Sequence, residues 1–85
     1  MKATEMQEIV KDIEYMILSK TNFKVEHIQY VNETELSGGR YFFVYLRNLG
    51  NNYTVKVELM EDNTVDLDGL ICYLNFMEER IRNED

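Results

Sequence analysis

The chain has 85 residues, 45% of them hydrophobic, which is enough for one domain with a single modest core. Its 16 acidic and 9 basic residues give a net charge of −7, which opposes direct binding of nucleic-acid phosphates and favours a partner with a basic surface. The single cysteine, Cys72, excludes an internal disulfide, and without a membrane-length apolar run or a signal segment we expect a cytoplasmic protein with no membrane partner.

The first predicted element is an amphipathic helix over residues 3–20. Its apolar residues recur at helical spacing and form one stripe: Met6, Ile9, Val10, Ile13, Met16 and Ile17. Thr4, with Gln7 three residues later, predicts a capping box at the start of this helix. We therefore expect one buried side and one solvated side.

Two predicted strands follow the helix. In residues 23–31 the alternation of apolar residues slips by one position near Glu26 and His27, which predicts a β-bulge. Residues 40–47 are apolar on both faces, as expected of a strand in the middle of a sheet. One face carries Phe42, Val44 and Leu46, and the other carries Tyr41, Phe43 and Tyr45.

A third strand is predicted over residues 53–60, where apolar residues alternate with polar ones. The segments between the strands are short and contain turn residues, at Ser37–Gly39 and at residues 48–52. Short connections favour pairing between neighbours along the chain. The three strands are therefore expected to form an antiparallel meander with the second strand in the middle.

The last predicted element is a helix over residues 65–82. Its main apolar stripe consists of Leu67, Leu70, Ile71, Leu74, Met77 and Ile81. Asp66 is the predicted N-cap, and Val65 before it is placed to pack on Leu70 as a hydrophobic staple. Cys72, Tyr73 and Phe76 lie away from the main stripe, where either the first helix or a second copy of the chain would cover them.

Residues 1–85 are thus expected to form one α+β domain of order α-β-β-β-α, with a three-stranded antiparallel sheet and two helices packed on one face. The order resembles that of the double-stranded-RNA-binding domain. That family contacts RNA through a histidine in the first strand connection and lysines at the start of the last helix. Here residues 33–39 contain no histidine and the last helix begins with Asp66 and Asp68, so the resemblance implies a shape without RNA contacts.

Catalytic and metal-binding patterns are missing from the sequence. His27 is the only histidine, and the two serines, Ser19 and Ser37, have no base or nucleophile-elbow context, so we expect no enzyme. A calcium-loop frame over the acidic run puts Thr64 at its first position and Asn75 at its twelfth, where Asp and Glu are required. We expect no metal and no cofactor.

Two groups of residues are candidates for binding a protein. The first is the acidic run Glu58, Glu61, Asp62, Asp66 and Asp68. These side chains either serve solubility and helix capping, or present negative charge that imitates phosphates to a basic protein. The second group is Tyr41, Phe43 and Tyr45, three rings on the sheet face away from the helices, where a protein contact and simple strand preference are alternative explanations.

In size, acidity and lack of enzyme motifs the chain resembles small phage-encoded inhibitors, including anti-CRISPR proteins. The resemblance implies binding to a basic surface of a nucleic-acid-handling protein. The expected function is therefore that of an acidic, non-enzymatic protein-binding module of the inhibitor type. The alternative is a structural or regulatory homodimer joined through Tyr73 and Phe76 or through the aromatic sheet face.

Overall fold

The computed structural model of the protein describes residues 2–36 and 38–83 and has the predicted order α-β-β-β-α. Its elements are α1 (Ala3–Lys20), β1 (Lys24–Glu33), a short 3₁₀ helix (Thr34–Leu36), β2 (Gly39–Asn48), β3 (Asn51–Glu58) and α2 (Leu67–Asn83). Each predicted helix and strand is confirmed to within two residues at either end. Ser37, in the predicted first turn, lies outside the described residues.

The sheet is the predicted antiparallel meander, with strand order β1-β2-β3. In the pairing of β1 with β2, Val25 lies opposite Leu46 and His27 opposite Tyr45, which leaves Glu26 as an extra residue. This is the predicted bulge. It returns the next apolar residues of β1 to the side of the sheet that carries Val25.

One hydrophobic core joins the helices to the sheet. Its buried residues come from α1, β2, β3 and α2 and from the residues just before β1 and just after β3: Ile13, Ile17, Phe23, Phe42, Val44, Leu46, Val55, Val57, Leu59, Leu70 and Leu74. Val25, Ile28 and Tyr30 of β1 pack against this cluster from its edge. From this shared core we infer that both helices cover the sheet face that carries Phe42, and that Tyr41, Phe43 and Tyr45 lie on the outer face.

The two helix starts differ in how they are capped. Asp66 is the N-cap of α2 as predicted, since its Oδ1 accepts the Gly69 backbone N–H at 2.9 Å. The capping box predicted at Thr4 is wrong, because α1 begins at Ala3 with Lys2 as its N-cap and no side chain caps it. Thr4 therefore already lies inside the first turn, where its hydroxyl is not in the capping position.

A buried carboxylate ties α2 to the start of β1. Glu78 is only 7% exposed, and its Oε1 accepts the Asn22 backbone N–H at 2.6 Å. Its Oε2 accepts the Asn22 side-chain amide at 3.0 Å and lies 3.3 Å from Arg82 Nη2. These bonds supply hydrogen-bond donors to the buried carboxylate and join α2 to the loop between α1 and β1.

The turn between β2 and β3 carries an unfavourable residue. Leu49 and Gly50 both have positive φ, 51° and 79°, in a two-residue connection between the paired Asn48 and Asn51. Such turns favour Asn-Gly, because a branched apolar side chain is strained in the left-handed region. Leu49 is also exposed, so its side chain gains little from packing.

Replacing Leu49 by Asn is therefore expected to raise the free energy of unfolding by about 1 kcal/mol. For a domain of this size that corresponds to a rise in Tm of about 4–8 °C, measurable by thermal unfolding. Leu18→Asn is the matched control, because Leu18 is an exposed leucine with helical backbone geometry. Equal stabilisation by both variants would assign the effect to removal of exposed apolar surface and not to the turn.

Candidate protein-binding surfaces

The three outer-face aromatic residues of β2 form a continuous row of rings. The centroids of Tyr41 and Phe43 are 5.1 Å apart and those of Phe43 and Tyr45 are 6.4 Å apart. Their side chains share one face because residues two apart along a strand point the same way. We call Tyr41, Phe43 and Tyr45 the aromatic row.

Exposure is uneven along this row. Tyr41 is only 6% exposed, because Lys56 Nζ lies 4.3 Å from its ring centroid and its hydroxyl donates to Glu33 Oε1 at 2.9 Å. That hydrogen bond, then burial and the Glu33 charge, raise the pKa of Tyr41 above its ordinary value. Phe43 and Tyr45 are half-buried. The accessible part of the row is thus formed by Phe43 and Tyr45, and Tyr41 packs beside Phe43 as a buried residue.

The single histidine and the single cysteine of the sequence lie on different elements, β1 and α2. His27 stacks on Tyr45, with ring centroids 5.9 Å apart and planes 20° from parallel, while Cys72 is exposed on α2. Across residues 2–36 and 38–83, no group of three or more His, Cys, Asp or Glu side chains is arranged to hold a metal ion. His27 has the geometry of a strand residue packed on its neighbour across the sheet.

The five predicted acidic residues lie close together along the chain on exposed positions. Glu58 ends β3, Glu61 and Asp62 lie in the following turn, and Asp66 and Asp68 lie at the start of α2. We call these five residues the acidic lobe. Thr64 donates its hydroxyl to Asp62 Oδ1 at 2.6 Å, and this bond lowers the pKa of Asp62 below its ordinary value. Asp62 therefore keeps its negative charge to a lower pH than an ordinary aspartate does.

No ion pair neutralises the acidic lobe within the described part of the chain. The two ion pairs found there join Arg47 to Glu26 and Arg82 to Glu78. Arg40 approaches the turn after β3, but its guanidinium donates to the Asn63 side chain at 2.8 Å and to the Met60 carbonyl at 3.1 Å. The lobe carboxylates are thus available for charges on another molecule.

A groove runs between β3 and the first half of α2, with a volume of about 480 Å³. One wall is the continuous segment 54–58 of β3. The remaining lining residues are Met60, Asp66, Gly69, Leu70 and Tyr73. The groove thus brings two residues of the acidic lobe, Glu58 and Asp66, next to the apolar side chains of α2.

Sequence reasoning did not identify this groove. Asp66, Gly69 and Tyr73 are spaced by three and four residues, which places them on one side of a helix. A Cβ at Gly69 would collide with the Asp66 carboxylate, so the glycine at this position accommodates the N-cap. That side became a groove wall only because β3 is the neighbouring sheet edge.

The side of α2 that lies away from the core is not covered by α1. Cys72 is exposed, and Tyr73 and Phe76 are 53% and 58% exposed. The prediction that α1 covers Cys72, Tyr73 and Phe76 is therefore wrong. Contact with a second copy of the chain stays a prediction.

Neither helix has the length and apolar character needed to cross a membrane, over the residues described. No protein-family model, curated protein or solved structure matches this chain.

Proposed function

We propose that this protein is a non-enzymatic binding module whose acidic lobe contacts a basic surface of a partner protein. The observation that carries the proposal is the concentration of five exposed carboxylates within residues 58–68, none of them in an ion pair with another described residue. Exposed charges of one sign steer encounter with a surface of the opposite sign.

The partner class that fits this charge best is a nucleic-acid-handling protein. Phosphate-binding surfaces present Lys and Arg side chains, and carboxylate oxygens accept the same charge-assisted hydrogen bonds as phosphate oxygens. A small domain with an acidic lobe would occupy such a surface and exclude the nucleic acid. The module would then act as an inhibitor of the protein that it binds.

The test is reversal of three lobe charges, Glu58, Glu61 and Asp68, to Lys in one variant. The other two lobe residues are kept because Asp62 and Asp66 hydrogen-bond to their own backbone segments. A partner is first captured from the source cell with the unaltered protein, purified and identified. Its association rate constant with the triple variant is expected to fall by about 10- to 100-fold at low salt.

A matched control carries Glu8→Lys, Asp12→Lys and Glu14→Lys on the exposed side of α1. Each reversal adds two positive charges, so both variants change the net charge from −7 to −1. Circular dichroism is used to check that both variants are folded. Equal loss of association in the two variants would mean that net charge alone matters and would refute a role for the lobe.

A homodimer is the second candidate, favoured by the exposed Tyr73 and Phe76 on one side of α2. Large exposed apolar patches on small proteins commonly mark interfaces. Sedimentation equilibrium from micromolar to millimolar protein distinguishes the two candidates. A monomer throughout this range would remove the homodimer, and dissociation of a dimer by Phe76→Glu would support it.

A further inference from the structure

The open edge of β3 presents a regular row of backbone donors and acceptors. The Leu59 N–H donates to the Arg40 carbonyl at 2.9 Å, so the backbone of Leu59 faces β2. Hydrogen-bonding direction alternates along an antiparallel strand, so the backbones of Val55 and Val57 also face β2. The N–H and C=O groups of Thr54, Lys56 and Glu58 therefore point away from the sheet.

These outward groups coincide with the groove between β3 and α2. The wall formed by residues 54–58 is about 13 Å long at the usual rise of a strand. The opposite edge of the sheet is less suitable, because the bulge at Glu26 interrupts the regular spacing of β1. The edge of β3 is thus the one that is regular along its whole length, and the groove lies along it.

We propose that the partner contributes an extended segment that pairs with the edge of β3 and lies in this groove. This inference rests on the proposed function and specifies how the partner is held. Main-chain hydrogen bonds to Thr54, Lys56 and Glu58 supply affinity that does not depend on the segment's sequence. Alternate side chains of the segment point towards α2 and towards the outer face of the sheet.

Charge and surface chemistry define the segment. Glu58 and Asp66 on the groove favour Lys or Arg in the segment, while Met60, Leu70 and Tyr73 favour apolar side chains at the alternate positions that face α2. Lys56 is the one basic residue lining the groove, and its ammonium lies over the Tyr41 ring on the outer face. The segment is therefore an alternating basic and apolar strand.

A second copy of the chain fits this edge poorly. Two chains of net charge −7 repel each other at long range. The occupant argued here is therefore a segment of another, basic protein.

The test uses a ten-residue peptide of alternating Lys and Val with blocked ends as the probe. It is titrated into the ¹⁵N-labelled full chain and followed by NMR. We expect the amide resonances of Thr54, Lys56 and Glu58 to move most, and their hydrogen exchange to slow. Movement confined to the aromatic row or to residues 61–68 would overturn the proposal.

Two matched pairs separate backbone pairing from charge attraction. The protein variant Thr54→Pro removes an outward N–H without removing a bond to β2, whereas Thr54→Val keeps the N–H. The control peptide has the same sequence with alternate amides N-methylated on the pairing side. We expect Thr54→Pro and N-methylation each to weaken binding about tenfold or more, and Thr54→Val to change it little.

The outcomes distinguish this inference from the proposed function. Equal binding of the methylated and unmethylated peptides would refute edge pairing, while the lobe-reversal experiment could still support the acidic module. Failure of both peptides to bind at millimolar concentration would also refute it. Concentration-dependent movement of the same amides without peptide would identify a second copy as the occupant. If Thr54→Pro does not fold, the methylated peptide provides the same test on the unaltered protein.

Discussion

Replacing Phe42 by Ala is expected to lower the free energy of unfolding by about 3–5 kcal/mol, whereas Phe43→Ala should cost only about 1–2 kcal/mol. Phe42 is 0% exposed in the core, with its ring centroid 5.4 Å from that of Tyr30. Phe43 follows it on the outer face and is half-buried in the aromatic row. The same chemical change at neighbouring positions thus samples the two faces of the sheet.

Urea unfolding followed by circular dichroism measures both variants. Small domains have total stabilities of about 5–15 kcal/mol, so Phe42→Ala is expected to remove a large part of the stability of this chain. A similar loss for the two variants would contradict the assignment of the helices to the Phe42 face. It would also argue against the outer face as a contact surface, because Phe43 would then be as deeply packed as Phe42.

The second large effect is expected at Glu78. Glu78→Ala should lower the free energy of unfolding by about 2–3 kcal/mol, because it removes the two charge-assisted hydrogen bonds that Asn22 donates to this carboxylate. For a domain of this size the corresponding fall in Tm is about 8–24 °C, measurable by calorimetry. Few single polar side chains in this protein should matter as much.

Two variants make the Glu78 experiment specific. Glu79→Ala removes the neighbouring exposed carboxylate and should change stability by no more than about 0.5 kcal/mol. Glu78→Gln keeps one acceptor oxygen of similar geometry and should recover part of the loss seen with Ala. If Glu79→Ala were as costly as Glu78→Ala, helix propensity or net charge would explain the effect and the bonds to Asn22 would not.

The sequence predicts the fold well where periodicity carries the information. The alternation at Phe42 and Phe43 assigns the two sheet faces, and the slip near Glu26 locates the bulge, because both patterns are local. The capping box at Thr4 fails because a short capping signal does not fix which residue begins a helix.

Features that depend on distant residues were beyond this reasoning. Glu78 lies four residues after Leu74, on the core side of α2, but a charged residue does not register in an apolar pattern. Its partner Asn22 is 56 residues away in sequence, so no local rule pairs them. The groove likewise could not be predicted from local patterns, because it forms only where α2 lies beside the edge of β3.

The acidic lobe was predictable as a charge pattern, whereas its freedom from ion pairs was not. Which cations lie near Glu58 and Asp66 depends on where the strands place Arg40 and Lys56. The aromatic row was likewise predictable as a face of β2. The burial of the Tyr41 side chain was not predictable, because Glu33 and Lys56 contact it from the two neighbouring strands.

The bulge at Glu26 also limits how the molecule can assemble. A sheet with two regular edges can add strands on both sides, and copies or partners can then be linked one after another into an open-ended fibre. Here β1 is interrupted at Glu26, whereas β3 is regular along its whole length. Under the edge pairing proposed above, addition at β3 alone gives a complex with one added strand for each chain.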